Sequence, residues 1–277
     1  MVRTVESINA AVDELARREK AFARVLEKHG RPEPRVSEPG ATTLLRTIVG
    51  QQVSVAAALD NPDRKVLRAW ATREAAGFMR FPDNIPVTLA DVADLGRLVP
   101  HDAPHQGIVI EAEPLEDMWL ADLLAEAGER SVLLVLDQIT DPHNVGAILR
   151  SAAAFGAAGI VTQDRHSPPE SGVIAKAASG ALERVKWARV VNLARALEEI
   201  AEAGFWRIGL AGDADTDLRD ALGPARVGLV LGAEGAGLRP NTREHCDALA
   251  RLPITNAVES LNVSNAAAVA LYAATIA

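Results

Sequence analysis

A chain of 277 residues, nearly half of them apolar, is long enough to bury a sizeable core, in two domains or one large one. Its formal net charge of -8 does not advertise a nucleic-acid binder, although a local basic cluster can sit on an acidic protein. A single cysteine excludes a disulfide framework and a thiolate metal cluster and points to a reducing, cytoplasmic compartment. No apolar run reaches membrane-spanning length, and the N-terminal stretch lacks the apolar core of a signal peptide.

In chain order, residues 4–28 read as an amphipathic helix, with Val5, Ile8, Val12 and Leu15 at helical spacing. His29-Gly30 and the Pro-rich run RPEPRVSEPG end it. A second helix begins near Thr42 or Thr43 and carries Leu44, Leu45, Ile48, Val49 and Val53. The stretch GATTLLRTIVGQQVSVAAA resembles the N-terminal region of the DNA-3-methyladenine glycosylases of the helix-hairpin-helix superfamily. That resemblance covers residues 1–58 only. Base excision by this family needs a Gly-rich hairpin and a catalytic Asp further on, and no L-P-G-x-G-type hairpin follows. The segment reads as a fused remnant.

Residues 59–115 read as a small α/β unit. A turn at Asn61-Pro62-Asp63 leads to a strand over 66–70 and a helix capped by Thr72 with Glu74 in its first turn. IPVTLADVADLGRLVP gives another strand and short helix, and Gly107 precedes a strand at 108–110. Arg64, Lys65, Arg68 and Arg73 gather near the first strand, as a solvated face or as a basic patch. An acidic linker, 116–128, leads through a short helix into the longest regular pattern.

SVLLVLD (131–137) is a fully apolar strand, as a parallel sheet buried on both faces requires. Helix and strand then alternate: NVGAILRSAAAFGAAGIV, the helical SPPESGVIAKAASGALE, VKWARVV, LARALEEIAEAG, FWRIGLAG and VGLVLG. This βαβ rhythm predicts an α/β domain over 129–277 with a mostly parallel sheet. Its last part, 252–274, is a polar loop holding Ser260, Asn262 and Ser264, followed by an Ala-rich helix.

Three loops follow predicted strands, where open α/β sheets bind ligands. The first runs from Asp137 through Asn144 and Gly146 to Arg150. Asn144 could be a plain helix cap and Arg150 a surface charge, but Asp, His, Asn and Arg within fourteen residues are denser than a structural loop needs. The second is Leu231-Gly232-Ala233-Glu234-Gly235-Ala236-Gly237-Leu238. Its glycines admit close backbone approach, it is neither a dinucleotide fingerprint nor a P-loop, and Glu234 within it calls for a partner, expected to be Arg150. The third is the loop before the last helix. The remaining reactive residues read blandly: Cys246 as a small buried hydrophobe, His166 and His245 without metal-ligand spacing, and four Trp too dispersed for a base-stacking platform.

The stretches LDQITDPHNVGAILRSAAAFGAAGIV, KAASGALERV, LVLGAEGAGLRP and LPITNAVESLNVSNAAAVALY together resemble the SpoU–TrmH branch of the SPOUT RNA methyltransferases in order, spacing and detail. With His105-Gln106-Gly107, the 59–115 unit resembles the RNA-recruiting domain of the large-subunit-rRNA guanosine 2′-O-methyltransferases. That domain usually begins with an extra strand and helix. Here glycosylase-like sequence stands in their place, with residues 53–59 in the helix position.

The resemblance implies a trefoil-knotted SPOUT domain working as a homodimer in the cytoplasm, with RNA, specifically rRNA, as partner and no metal or membrane. It implies S-adenosylmethionine held largely by backbone groups of Gly232, Leu252 and Leu261. It places Asn144, Arg150, Glu234, Ser260 and Asn262 at the active site, for methyl transfer to a ribose 2′-hydroxyl. Arg150 is the family's debated base, but a guanidinium normally keeps its proton, so binding a phosphate or an oxyanion suits it better. The other readings are an RNA-binding or ribosome-assembly protein that has lost turnover, and DNA base excision through residues 1–58.

Overall fold

The computed structural model describes Arg17 and residues 52–99, 105–255, 258 and 260–276. Apart from Arg17, the expected helix over 4–28 and the glycosylase-like stretch as far as residue 51 lie outside the described residues. From Gln52 onward the described residues form one compact unit built on two sheets.

The smaller sheet follows helix α1 (Gln52–Asp60) and contains β1 (Val66–Ala71), β2 (Val87–Leu89) and β3 (Ile108–Ala112) in the order β2-β1-β3. β1 runs parallel to β2 and antiparallel to β3. The helices between them, α2 (Arg73–Phe78) and α3 (Val92–Leu98), start where the sequence provides caps. Thr72 Oγ1 accepts the Ala75 N–H at 3.2 Å, and Asp91 Oδ1 accepts the Asp94 N–H at 2.7 Å. α1 occupies the expected helix position: Val55 and Ala58 are fully buried, and Ser54 Oγ donates to the Ala175 carbonyl at 3.0 Å.

Three of the four residues of the basic cluster are paired. Lys65 pairs with Glu113 at 2.6 Å, and Arg68 pairs with Glu111 across the β1–β3 ladder. Arg64 is buried: its Nε and Nη2 donate to Glu183 at 3.0 and 2.8 Å, and its Nη1 donates to Glu170 at 2.5 Å and to the Glu113 carbonyl at 2.8 Å. Burial works to lower the Arg64 pKa, but the hydrogen bonds and charges of Glu183 and Glu170 outweigh it, and the net shift is upward. Arg64 therefore clamps the small sheet to residues 170–183, which lie beside the larger sheet.

The larger sheet has seven strands, all parallel, in the order β6-β5-β4-β9-β7-β10-β8. They are β4 (Ser131–Leu136), β5 (Gly159–Gln163), β6 (Trp187–Val190), β7 (Trp206–Leu210), β8 (Thr216–Asp217), β9 (Arg226–Leu231) and β10 (Ala248–Arg251). The helices are α4 (Leu120–Ala125), α5 (Pro142–Ala154), α6 (Gly172–Ala178) with a 3-10 turn at Ala181–Glu183, α7 (Leu193–Glu202), α8 (Leu218–Ala221), α9 (Pro240–Glu244) and α10 (Val263–Ile276).

The strand period of two sends Leu134 and Leu136 to one layer, with Ile148 and Leu149 of α5 and Ala267 and Leu271 of α10. Leu133 and Val135 go to the other, with Leu123 of α4 and Leu197 and Ile200 of α7. α7 buries Leu193, Ala196, Leu197 and Ile200, one stripe of a 3.6-residue helix, and Asn192 caps it. α4 falls inside the stretch read as a linker, with Leu120, Leu123 and Leu124 buried against the sheet. Pro168 and Pro169 precede α6, which begins after the Ser171 cap rather than at the prolines. Arg207 in β7 donates to Asp247, before β10, through Nε at 2.8 Å and Nη2 at 2.6 Å, and holds that carboxyl below its ordinary range.

α5 and α6 touch at Gly146. A Cβ there would lie 2.5 Å from Ala177 Cβ and 2.8 Å from the Ile174 carbonyl oxygen. Alanine in a helix gains about 1 kcal/mol over glycine, and forcing a methyl into a packed backbone contact costs about 1–3 kcal/mol. Gly146→Ala should therefore lose stability on balance, and the bulkier Gly146→Val clearly more, both read from urea midpoints.

Candidate active site

The C-terminal ends of β4, β9 and β10 lie on one edge of the parallel sheet, so the three loops singled out in the sequence open on the same side. At the β4 loop, Asp141 caps α5 by accepting the His143 N–H at 3.0 Å, with Pro142 in the first helical turn. Asn144 is thus not the cap. It sits inside the first turn with its amide buried and aimed at the other two loops.

There it meets Glu234 and Asn262. Asn144 Nδ2 donates to Glu234 Oε1 at 3.0 Å. Asn262 Nδ2 donates to Asn144 Oδ1 at 3.1 Å and to Glu234 Oε1 at 2.7 Å. Asn262 Oδ1 in turn accepts from Ser264 N at 2.9 Å and from Ser264 Oγ at 2.6 Å. One residue from each loop, separated by up to 118 positions in the chain, forms a closed polar network. Among the described residues Glu234 Oε2 has no hydrogen bond within the chain, which leaves it open to a ligand.

The glycine loop is held in shape from both ends. Gly237 N donates to the Ala233 carbonyl at 2.8 Å, and Ala233 and Gly237 form an antiparallel bridge. Gly232 faces this turn so closely that a Cβ would lie 2.1 Å from the Gly237 carbonyl carbon. Past the loop, Arg239 Nε donates to Asp137 Oδ1 at 2.7 Å, its backbone N–H to Oδ2 at 3.1 Å, and its Nη2 to Gln163 Oε1 at 2.8 Å. Asp137 is wholly buried at the end of β4, so its charge is met inside the fold. The Arg239–Asp137 tie was not legible: the two residues lie 102 positions apart, and no local pattern links them.

Arg150 does not join the network, and the expected Glu234–Arg150 pair is not formed. Glu234 is taken by the two asparagine amides, while Arg150 lies six residues beyond Asn144 on α5. That spacing is roughly 9 Å along the axis and two-thirds of a turn around it. Arg150 lines a separate cavity with Ser179 and Arg184. Ser260 is exposed in the loop two residues before Asn262, with no hydrogen bond within the described residues. Gly232, Leu252 and Leu261, the expected cofactor residues, are all half-buried at this edge, and Leu252 packs on the core. Cys246 is a half-buried residue packed against the core, and the burial of its thiol pushes the pKa up to about 12.

Residues 131–272 match the model of the SpoU rRNA Methylase family. An uncharacterized tRNA/rRNA methyltransferase of Synechocystis is 41% identical over 251 residues, which span 87% of this chain and 65% of that protein. The 23S rRNA (guanosine-2′-O-)-methyltransferase RlmB of Pseudomonas aeruginosa is 44% identical over 207 residues, 73% of this chain and 79% of that enzyme. In fold, the SpoU methyltransferase AviRb of Streptomyces viridochromogenes, solved in complex with AdoMet, superposes with a TM-score of 0.68 at 21% identity, over 86% of this chain and 98% of that one. From β4 through α10, the segment that holds all three loops, the chain belongs to the SpoU rRNA methylase family.

Proposed function

We propose that this protein transfers the methyl group of S-adenosylmethionine to a ribose 2′-hydroxyl of RNA, with a guanosine of large-subunit rRNA as its target. The observation that carries this reading is the Asn144–Glu234–Asn262 network, which draws three distant loops together at the edge of the sheet where such folds bind ligands. The family and the guanosine-2′-O-methyltransferase named among its relatives set the reaction class.

The cofactor fits the residues present. An adenosyl group needs apolar walls for its faces and main-chain groups for its edge. Half-buried Leu252 and Leu261 offer the walls, and the backbone at 252–255 and 260–261 lies beside them in irregular conformation, outside any helix or strand. Gly232, without a side chain, keeps the glycine turn folded back on itself and the floor open. When bound, the cofactor supplies an electrophilic methyl carbon.

The chain's own residues do the rest. The Asn144 and Asn262 amides fix Glu234 by one oxygen. The other, Oε2, is the acceptor that takes a hydrogen bond from the ribose hydroxyl, orients its lone pair and takes up its proton as the oxygen is methylated. Ser260 lies two residues away to hold a neighbouring ribose or base group. Most of the rate then comes from alignment of nucleophile and methyl carbon, with no covalent intermediate on the enzyme.

The reading includes a homodimer and a knotted chain. Arg150 lies away from the network of its own chain, and α10 exposes Val269, Tyr272 and Ile276 along one side. A second copy packed there would cover those apolar groups and bring its arginine toward the site.

Purified protein incubated with tritiated S-adenosylmethionine and unmodified large-subunit rRNA should label the RNA at a 2′-O-methylguanosine. Cofactor binding by calorimetry with no transfer to any RNA would instead fit an assembly protein without turnover.

A further inference from the structure

Outside the network, one cavity combines paired cations with room for a ligand. It has a volume of about 440 Å³ and lies between α1, α5 and the turn from α6 into the 3-10 helix. Arg150 and Arg184 line it from two different elements. Neither has a carboxylate or carbonyl partner among the described residues, whereas Arg64, Arg207, Arg239 and Arg251 of the same unit are each bonded to an acid. The walls are small: Ala56 and Ala57 on α1, Ala153 on α5 and Ala181 on the 3-10 turn. Ser179, also on the lining, ends α6 in the left-handed conformation, at φ 51° and ψ 50°. The one acid on the lining is Asp60, at the last position of α1. Two guanidiniums against one carboxylate leave a net single positive charge, which matches one phosphodiester.

We infer that this cavity is a phosphodiester subsite for the RNA substrate, in which Arg184 is a substrate-binding residue that grips, together with Arg150, a backbone phosphate of the bound RNA. The inference rests on the methyltransferase reading and extends it to a residue and a wall outside the three loops. A guanidinium fork matches two phosphate oxygens, and two forks from different elements fix the phosphate's position as well as its charge. The alanines leave space for the sugar on either side of the phosphate. The Ser179 hydroxyl, which makes no hydrogen bond within the described residues, is a donor for a third phosphate contact. One wall is α1, at the junction with the glycosylase-like stretch, so the front of the chain contributes a surface to the substrate site.

The test compares wild type, Arg184→Ala, Arg184→Lys and Asp60→Asn in methylation of a large-subunit rRNA transcript and in its binding by fluorescence anisotropy across a salt series. Arg184→Ala should raise KM for RNA about 10–100-fold with kcat little changed. It should also flatten the slope of log affinity against log salt by about 0.7–0.9, one phosphate contact. Arg184→Lys should recover part of the loss and restore the slope. Asp60→Asn should tighten RNA binding about twofold, a gain that a merely structural role does not produce. Affinity for S-adenosylmethionine should stay the same in all four. Unchanged KM and salt slope in Arg184→Ala, or a fall in kcat with KM unchanged, overturns the inference. If the wild type binds the transcript with an Arg184-dependent slope but transfers no methyl group, the subsite stands and the methyltransferase reading falls. If it does not bind the transcript at all, both fall.

Discussion

Replacing Asn144 by alanine should cut methyl transfer to rRNA by about 10²–10³-fold, a loss of about 2.7–4 kcal/mol of transition-state stabilisation. The change removes one of the two donors on Glu234 Oε1 and the acceptor for Asn262 Nδ2. Glu234 then turns in its exposed loop, and its free oxygen no longer meets the ribose hydroxyl at a fixed angle. The loss should appear in kcat, with S-adenosylmethionine affinity by calorimetry unchanged, because Leu252 and Leu261 are untouched. Asn144→Asp is the sharper control. It keeps the shape but sets a second carboxylate against Glu234 Oε1, where a donor sits 3.0 Å away, so it should be no better than alanine. Retention of a third or more of wild-type turnover by Asn144→Ala would remove the network from the mechanism.

The largest expected effect on stability lies elsewhere, at Arg64. Its side chain is 1% exposed, and its partners Glu183 and Glu170 are 4% and 15% exposed. Truncation to alanine leaves two carboxylates with little water and no cation, and breaking a buried pair in this way costs about 3–5 kcal/mol. For a domain of this size that is roughly 6–20 °C in Tm. Removing the charges together, as Arg64→Met with Glu183→Gln and Glu170→Gln, should cost clearly less, because no uncompensated charge remains. Calorimetric melts of the two variants decide the matter. A loss under about 1 kcal/mol in Arg64→Ala would mean that water reaches the carboxylates and that the clamp is not buried in solution.

The same residue marks where sequence reading stops. Arg64, Lys65 and Arg68 look like a basic face when read along the chain, because their acids lie 43 to 119 positions away. The elements were easier. The unbroken apolar run of β4 and the stripe of α7 follow from local periodicity, and the cap at Thr72 from a single residue. β8, two residues long, and α8, four, are set by pairing with β10 and packing beneath it, so no local pattern marks them. At the site, Asn144, Glu234 and Asn262 were legible as a set. Their wiring was not, since Glu234 in a loop near Arg150 invites an ion pair. Six residues of α5, about 9 Å of rise and two-thirds of a turn, separate that arginine from the asparagine that holds the carboxylate.

The network also has a direction. Ser264 donates to Asn262, Asn262 donates to Asn144, and both asparagines donate to Glu234, so every N–H or O–H points toward the one carboxylate. A chain polarised in this way strengthens each bond by the presence of the next, and its members cannot be assigned separate shares. Double substitutions within it should therefore cost far less than the sum of the singles, and the three positions behave as one unit of inheritance: once any one is lost, little selection remains to keep the other two.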